Sequence, residues 1–232
     1  MPDRRDAVPF DADYFGRRAA RGERLDPTTA FRHAYHHNLW GDPESVSGPG
    51  SNGGQTARLR AELPALLAAL GIARLLDVPC GDGGWMAEVD LGEVSYVGGD
   101  LLPELVEQNR RRQAGPGRDF RVVDLTTSEL PAADLLLCRD CLVHLSAADA
   151  ARALANIRRA RITYLLTTTF PEESTNLDIV TGDWRPLNLQ RPPFSFPPPL
   201  QLLNEGCTEG GGRFADKSLG LWRCTDLPGG PQ

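Results

Sequence analysis

In the run LLDVPCGDGGW, Leu75 to Trp85, a carboxylate is followed within seven residues by three glycines, Gly81, Gly83 and Gly84. A strand that turns through glycines leaves backbone N–H groups, and the positive end of any following helix, open to a ligand. Twenty-three residues beyond Asp77 a second apolar run, Val94 to Gly99, closes on Asp100. A glycine-rich first turn with an acidic residue at the tip of the next strand is how doubly wound folds hold the ribose of a nucleoside cofactor. The series continues with FRVV, which runs into Asp124 and Leu125, and with Asp134, which opens DLLLC.

The glycine spacing bears on which nucleoside. Dinucleotide turns read G-x-G-x-x-G, the second glycine admitting the pyrophosphate; here the order is Asp77, Pro79, Cys80, Gly81, Asp82, Gly83, Gly84. Asp77 and Asp82 put negative charge where a pyrophosphate would lie, which disfavours NAD and suits a cationic head such as an ammonium or sulfonium. The run resembles motif I of the class I S-adenosylmethionine (SAM)-dependent methyltransferases, an acidic residue followed by Gly-Cys-Gly-x-Gly. Pro79 stands where that pattern has its first glycine. The resemblance spans Leu63 to Phe170 and implies SAM as cofactor, with Asp100 on the ribose diol and Asp124 near the adenine amine. It implies a cofactor set of Asp77, Pro79, Cys80, Gly81, Gly83, Trp85, Asp100, Leu101, Asp124, Leu125 and Arg139. The alternative is a glycine-rich turn without a ligand; three acidic strand ends in step with it favour the site.

Ligands of open α/β sheets bind beyond the carboxyl ends of the strands, which draws attention to Cys138-Arg139-Asp140-Cys141-Leu142-Val143-His144. Asp140 and His144 are four apart, so a helical turn would bring them together. The carboxylate would then fix the imidazole's tautomer and raise its basicity, making His144 a general base. A histidine that merely packs near a helix cap is the other reading. His33, His36 and His37 are alternative bases. Cys138 and Cys141 form a C-x-x-C, but with five cysteines and no second such pair, free thiols are favoured over redox or zinc chemistry, and no metal is expected.

The elements that must hold these groups alternate. Strands are expected at 75–78, 95–99, 120–123, 134–138 and 162–168, and helices at 84–89, 103–113 and 147–159. The continuously apolar DLLLC reads as a strand buried on both faces. Such alternation predicts an α/β fold, a doubly wound, mostly parallel sheet with helices on both faces. The resemblance completes it as a seven-stranded Rossmann-like methyltransferase fold, with Leu200–Asn204 and Leu219–Cys224 as an antiparallel closing pair. Ahead of the sheet stand helices at Tyr14–Arg21, at Thr28–Leu39 behind the cap signal Asp26-Pro27, and at Gln55–Leu70. Residues 41–54 read as a flexible loop. Residues 1–54 are thus expected to be a helical cap and cofactor cover, with Gln55 or Arg60 on the methionine carboxylate, and 55–232 the SAM-binding domain.

Residues 171–199 form a proline-rich stretch too long for a simple connection, and such loops are usually lids or binding loops. A substrate-binding set of Trp40, Trp184, Arg185 and Asn188 follows from their aromatic faces and directed donors; a proline-braced coil over the sheet edge is the bland counterpart. Pro192-Pro193-Phe194 lies beyond the fifth strand, out of place for the Pro-Pro-aromatic element of amino-methylating nucleic-acid enzymes.

With 232 residues and 41% hydrophobic content the chain can bury one full core. Its net charge of −6 and pI near 5.3 argue against a generic nucleic-acid binder. The basic residues are almost all arginine, with Lys217 the single lysine, and clusters such as Arg17, Arg18, Arg21 and Arg24 or Arg110 to Arg112 read as solvated helix faces. No apolar stretch reaches the roughly 18 residues of a membrane span, and the first residues lack a signal-peptide core, so a cytoplasmic location is expected. The function expected is methyl transfer from SAM to an oxygen or nitrogen of a polar small molecule, as in specialised metabolite biosynthesis. The alternative is a SAM-fold binding or regulatory protein, or an enzyme of non-methyl chemistry; oligomeric state stays open.

Overall fold

The computed structural model describes residues 9–23 and 25–229. Arg24 lies outside them. Seven strands, β1 Arg74–Asp77, β2 Ser95–Asp100, β3 Arg118–Val122, β4 Leu135–Cys138, β5 Tyr164–Thr169, β6 Gln201–Asn204 and β7 Ser218–Arg223, form one sheet in the order β3-β2-β1-β4-β5-β7-β6. The first five are parallel, and β7 runs antiparallel to both β5 and β6. The expected fold class and antiparallel closing pair are therefore present.

Among the described residues five α-helices accompany the sheet: α1 Tyr14–Ala20, α2 Pro27–His37, α3 Gly53–Ala69, α4 Pro103–Gln113 and α5 Ala147–Arg159. The Asp26 carboxylate accepts the Thr29 N–H at the start of α2, and Ser146 accepts the Asp149 N–H at the start of α5, so both begin at residues able to satisfy open donors. Successive side chains of β4 point to opposite faces. Leu135 and Leu137 join a core with Leu59, Leu63 and Leu67 of α3 and Val106 of α4. Leu136 and Cys138 join a second core with Ala150, Ala153 and Ile157 of α5. A strand buried on both faces needs apolar residues throughout, as LLLC supplies.

Three expectations are corrected. The helix at 84–89 is only a 3-10 turn at Met86–Glu88. Residues 41–54 are organised by Asp42, whose carboxylate accepts the N–H groups of Glu44 and Ser45, by a 3-10 turn at Pro49–Ser51, and by the Asn52 cap of α3. The long segment 171–199 is pinned from end to end rather than hung as a lid. Asn188 donates to the carbonyls of Pro171 and Glu173, and Asn176 donates to those of Asn188 and Pro192. Phe194 and Phe196 are buried in the α5-side core. Among the described residues no helix is long and apolar enough to cross a membrane.

Candidate active site

The strand order reverses between β1 and β4, and at such a switch point loops from the two strands diverge and leave a crevice. A cleft of about 140 Å³ lies there, whereas a second hollow beside Phe10, Tyr14 and Trp184 holds about 10 Å³. The large one is built in three parts.

Its floor is the turn after β1 and the tip of β2. Gly81 has φ 55°, its N–H donates to Asp100 Oδ2 at 3.1 Å, and a Cβ there would stand 2.1 Å from Ser47 Oγ, so glycine is required on two counts. Asp100 Oδ1 accepts the Leu102 N–H at 3.0 Å, and Asp77 accepts the Tyr96 hydroxyl at 2.8 Å. Both carboxyls are buried, 2% exposed for Asp77 and 7% for Asp100, and both line the cleft. Burial pushes Asp77 up to about 7 against the Tyr96 hydrogen bond, and Asp100 up to about 6 against its backbone donors. Asp124 is held by Thr126 and Thr127, and with Leu101, Val123 and Leu125 it continues the floor. Asp82 also lines the cleft, but its carboxylate is taken by Ser45 Oγ, the Val46 N–H and the Gly84 N–H.

The roof comes from the N-terminal residues: Phe31 and Tyr35 of α2, then Trp40, Val46, Ser47 and Ser51. Sequence reasoning named Trp40 but missed Phe31 and Tyr35, although their spacing of four on α2 marked an aromatic stripe.

The wall is the segment after β4. His144 Nδ1 lies 2.8 Å from the Asp183 carbonyl, so it is the protonated nitrogen and Nε2 is left as an acceptor. Its ring stands 5.5 Å from Trp40 and 6.5 Å from Phe31. Burial lowers its pKa to about 4, outweighing that hydrogen bond and the field of Asp140. The predicted Asp140–His144 pair does not form. Asp140 has φ 50°, and a 3-10 turn at Leu142–His144 follows it, so helical spacing does not apply. Asp140 instead accepts from Lys217 Nζ at 2.7 Å and lies 3.2 Å from Arg139. Arg139 in turn pairs with Glu205 at 2.6 Å and donates to the Gly50 carbonyl at 2.6 Å. These two cations and two anions form a buried network, and their attraction holds Asp140 well below the usual carboxylate range.

Of the expected cofactor residues, Asp77, Pro79, Cys80, Gly81, Trp85, Asp100, Leu101, Asp124, Leu125 and Arg139 line the cleft. Arg139 does so with its guanidinium already engaged. Gly83 does not line it; at φ 64° it shapes the turn over the Gln113 amide. Trp184, Arg185 and Asn188 are also absent from the cleft, and so is every residue of 171–199. Trp184 packs on Phe170 and Phe214, and Arg185 donates to the carbonyls of Leu142, Leu145 and Leu177. Gln55 pairs with Thr208, and Arg60 with Gly53 and Glu88; neither reaches the cleft. His33, His36 and His37 lie outside it too, with His33 bonded to Tyr14 and stacked on His37. The five cysteines are free, and no group of side chains among the described residues could hold a metal ion. Glu205 and Lys217 were missed; the one signal was a lone lysine placed just before the apolar strand SLGLW.

Residues 75–161 match the family model described as a methyltransferase domain. Over those residues the chain is similar to the SAM-dependent methyltransferases. The solved structures agree on its fold. Human N-acetylserotonin methyltransferase, determined with SAM, superposes at TM-score 0.54 and 14% identity over 95% of this chain and 63% of that one. The 1,6-didemethyltoxoflavin-N1-methyltransferase of Burkholderia thailandensis, determined with 1,6-didemethyltoxoflavin and S-adenosylhomocysteine, superposes at 0.57 and 18% identity over 94% and 93%. This chain thus spans under two thirds of the human enzyme. No curated protein sequence matches it. In the methyltransferase domain the matched residues supply the floor and wall of the cleft, while the roof lies outside the match.

Proposed function

We propose that the protein transfers a methyl group from SAM to an oxygen or nitrogen of a polar small molecule, with the cleft between β1 and β4 as its active site. The observation that carries this is the pairing of an acidic floor, Asp77, Asp100 and Asp124, with a half-buried neutral imidazole on the wall. The two relatives named above act on small molecules by their names, and one of them matches nearly end to end.

The residues present fit SAM. Asp100 spends one acceptor site of each oxygen on a backbone N–H, and a carboxylate has further lone pairs for a ribose diol. Leu101, Val123, Leu125 and Asp124, which line the cleft, would hold the adenine, and Asp77 would receive the ammonium. When bound, SAM supplies an electrophilic methyl group on a cationic sulfonium. The chain aligns the acceptor beneath its aromatic roof and excludes water. His144 Nε2 accepts the hydrogen bond of the acceptor's O–H or N–H and takes up its proton during transfer. The field of Asp140 favours the imidazolium so formed, and the proton leaves to solvent. Asp183 acts through His144: its carbonyl fixes the tautomer, while its carboxylate accepts the N–H groups of Phe15 and Gly16 at the start of α1.

The test is S-adenosylhomocysteine formation from SAM with candidate acceptors, by the wild type and by His144→Gln. The variant is expected to lose about 100-fold in kcat. Unchanged turnover in a folded variant would remove the base role, and SAM binding without product across acceptors would favour a binding or regulatory protein.

A further inference from the structure

We infer that the acceptor is a planar aromatic or heteroaromatic molecule without an anionic substituent, seated against the corner formed by Phe31, Trp40 and His144 with its O–H or N–H on His144 Nε2. The inference rests on the cleft being the SAM site and adds the class of acceptor.

Two independent observations support it. The first is shape. The Phe31 and Trp40 centroids are 6.5 Å apart, and each ring is within 6.5 Å of His144, at 85° for Phe31 and 49° for Trp40. Three rings inclined to one another make a corner that offers both faces and edges to a fourth ring, the geometry in which aromatic pairs gain most. The one nitrogen free to accept lies on a wall of that corner. An aliphatic polyol would leave these faces unmatched.

The second is charge. Among the described residues no salt bridge reaches Asp77, Asp82, Asp100 or Asp124, all of which line the cleft. Among the described residues the only arginine lining it, Arg139, is already paired with Glu205 and Asp140, and Lys217 behind it is paired with the same two acids. The remaining acid of the lining, Asp149, is held by Thr181 and Arg152. A carboxylate or phosphate on the acceptor would therefore enter a cleft lined by acidic side chains without a free cation to receive it. A neutral or cationic ring carries no such penalty.

The experiment is calorimetric titration of the full chain, saturated with S-adenosylhomocysteine, with three matched probes: 2-naphthol, 6-hydroxy-2-naphthoate and decahydro-2-naphthol. The neutral aromatic is expected to bind at least about tenfold more tightly than either of the others. Trp40→Ala should weaken the naphthol by about tenfold and S-adenosylhomocysteine far less, while Trp40→Phe, which keeps a ring and the fold, should stay within about threefold. Equal or tighter binding of the naphthoate or the saturated alcohol would overturn the inference, as would no naphthol binding to the saturated protein. Failure of S-adenosylhomocysteine itself to bind would instead overturn the reading of the cleft.

Discussion

On the proposed reading cofactor binding turns on Asp77 and Asp100, each of which is buried among groups too weak to hold it ionised at low pH. Their folded pKa values, about 7 and about 6, lie above the 3.8 of a free carboxyl. The folded protein therefore binds more protons than the unfolded chain across that interval. The stability these two contribute is present below the unfolded pKa and is lost as pH rises through 6 and 7. A cationic, diol-bearing ligand reverses the preference, since it favours the ionised forms. SAM affinity is accordingly expected to tighten as pH rises from about 5 to 7, with proton uptake by buffer detectable from heats in buffers of different ionisation enthalpy. Asp77→Asn should flatten that dependence; affinity that is level or falls over the interval in the wild type would contradict it. His144 behaves oppositely. Burial keeps it neutral down to about pH 4, so kcat at saturating SAM should show no inflection from His144 near its ordinary value of 6.5.

At the scale of elements, what was legible in the sequence is what local pattern determines. DLLLC, YVGG and the run at 147–159 each carry a clear local pattern, and each appears within two residues of its expected place. Acidic strand ends at Asp77 and Asp100 were readable for the same reason. The illegible part is set by partners distant in the chain. Arg185 and Asn188 carry donors suited to a ligand, yet backbone carbonyls up to 43 residues away already use them. Asp140 loses its expected partner to Lys217, which lies 77 residues on. That network ties β4 to the segment after β6 and to the roof loop through Gly50. Removing one member leaves a buried charge uncompensated, so Lys217→Met should cost about 3–5 kcal/mol. Scanning calorimetry should show a fall of roughly 6–20 °C in Tm. A change under about 2 °C would mean that the network contributes little to stability.

For the whole molecule, the sheet fixes a floor and a wall, and the N-terminal helices add a roof from outside the matched residues 75–161. Asp82 and Arg139 fasten that roof at two points, through Ser45 and Val46 on one side and Gly50 on the other. On the proposed reading this division explains why the cofactor was readable and the acceptor was not: motif-bearing turns build the floor, and a segment without a motif builds the roof. The most direct measurement is a calorimetric titration of the intact chain with SAM, run beside Asp100→Asn. Saturable binding of one SAM per chain is expected, weakened roughly 10- to 100-fold by the substitution through loss of charge-assisted ribose hydrogen bonds. No binding by the wild type, or equal affinity in the folded variant, would contradict the assignment of this cleft.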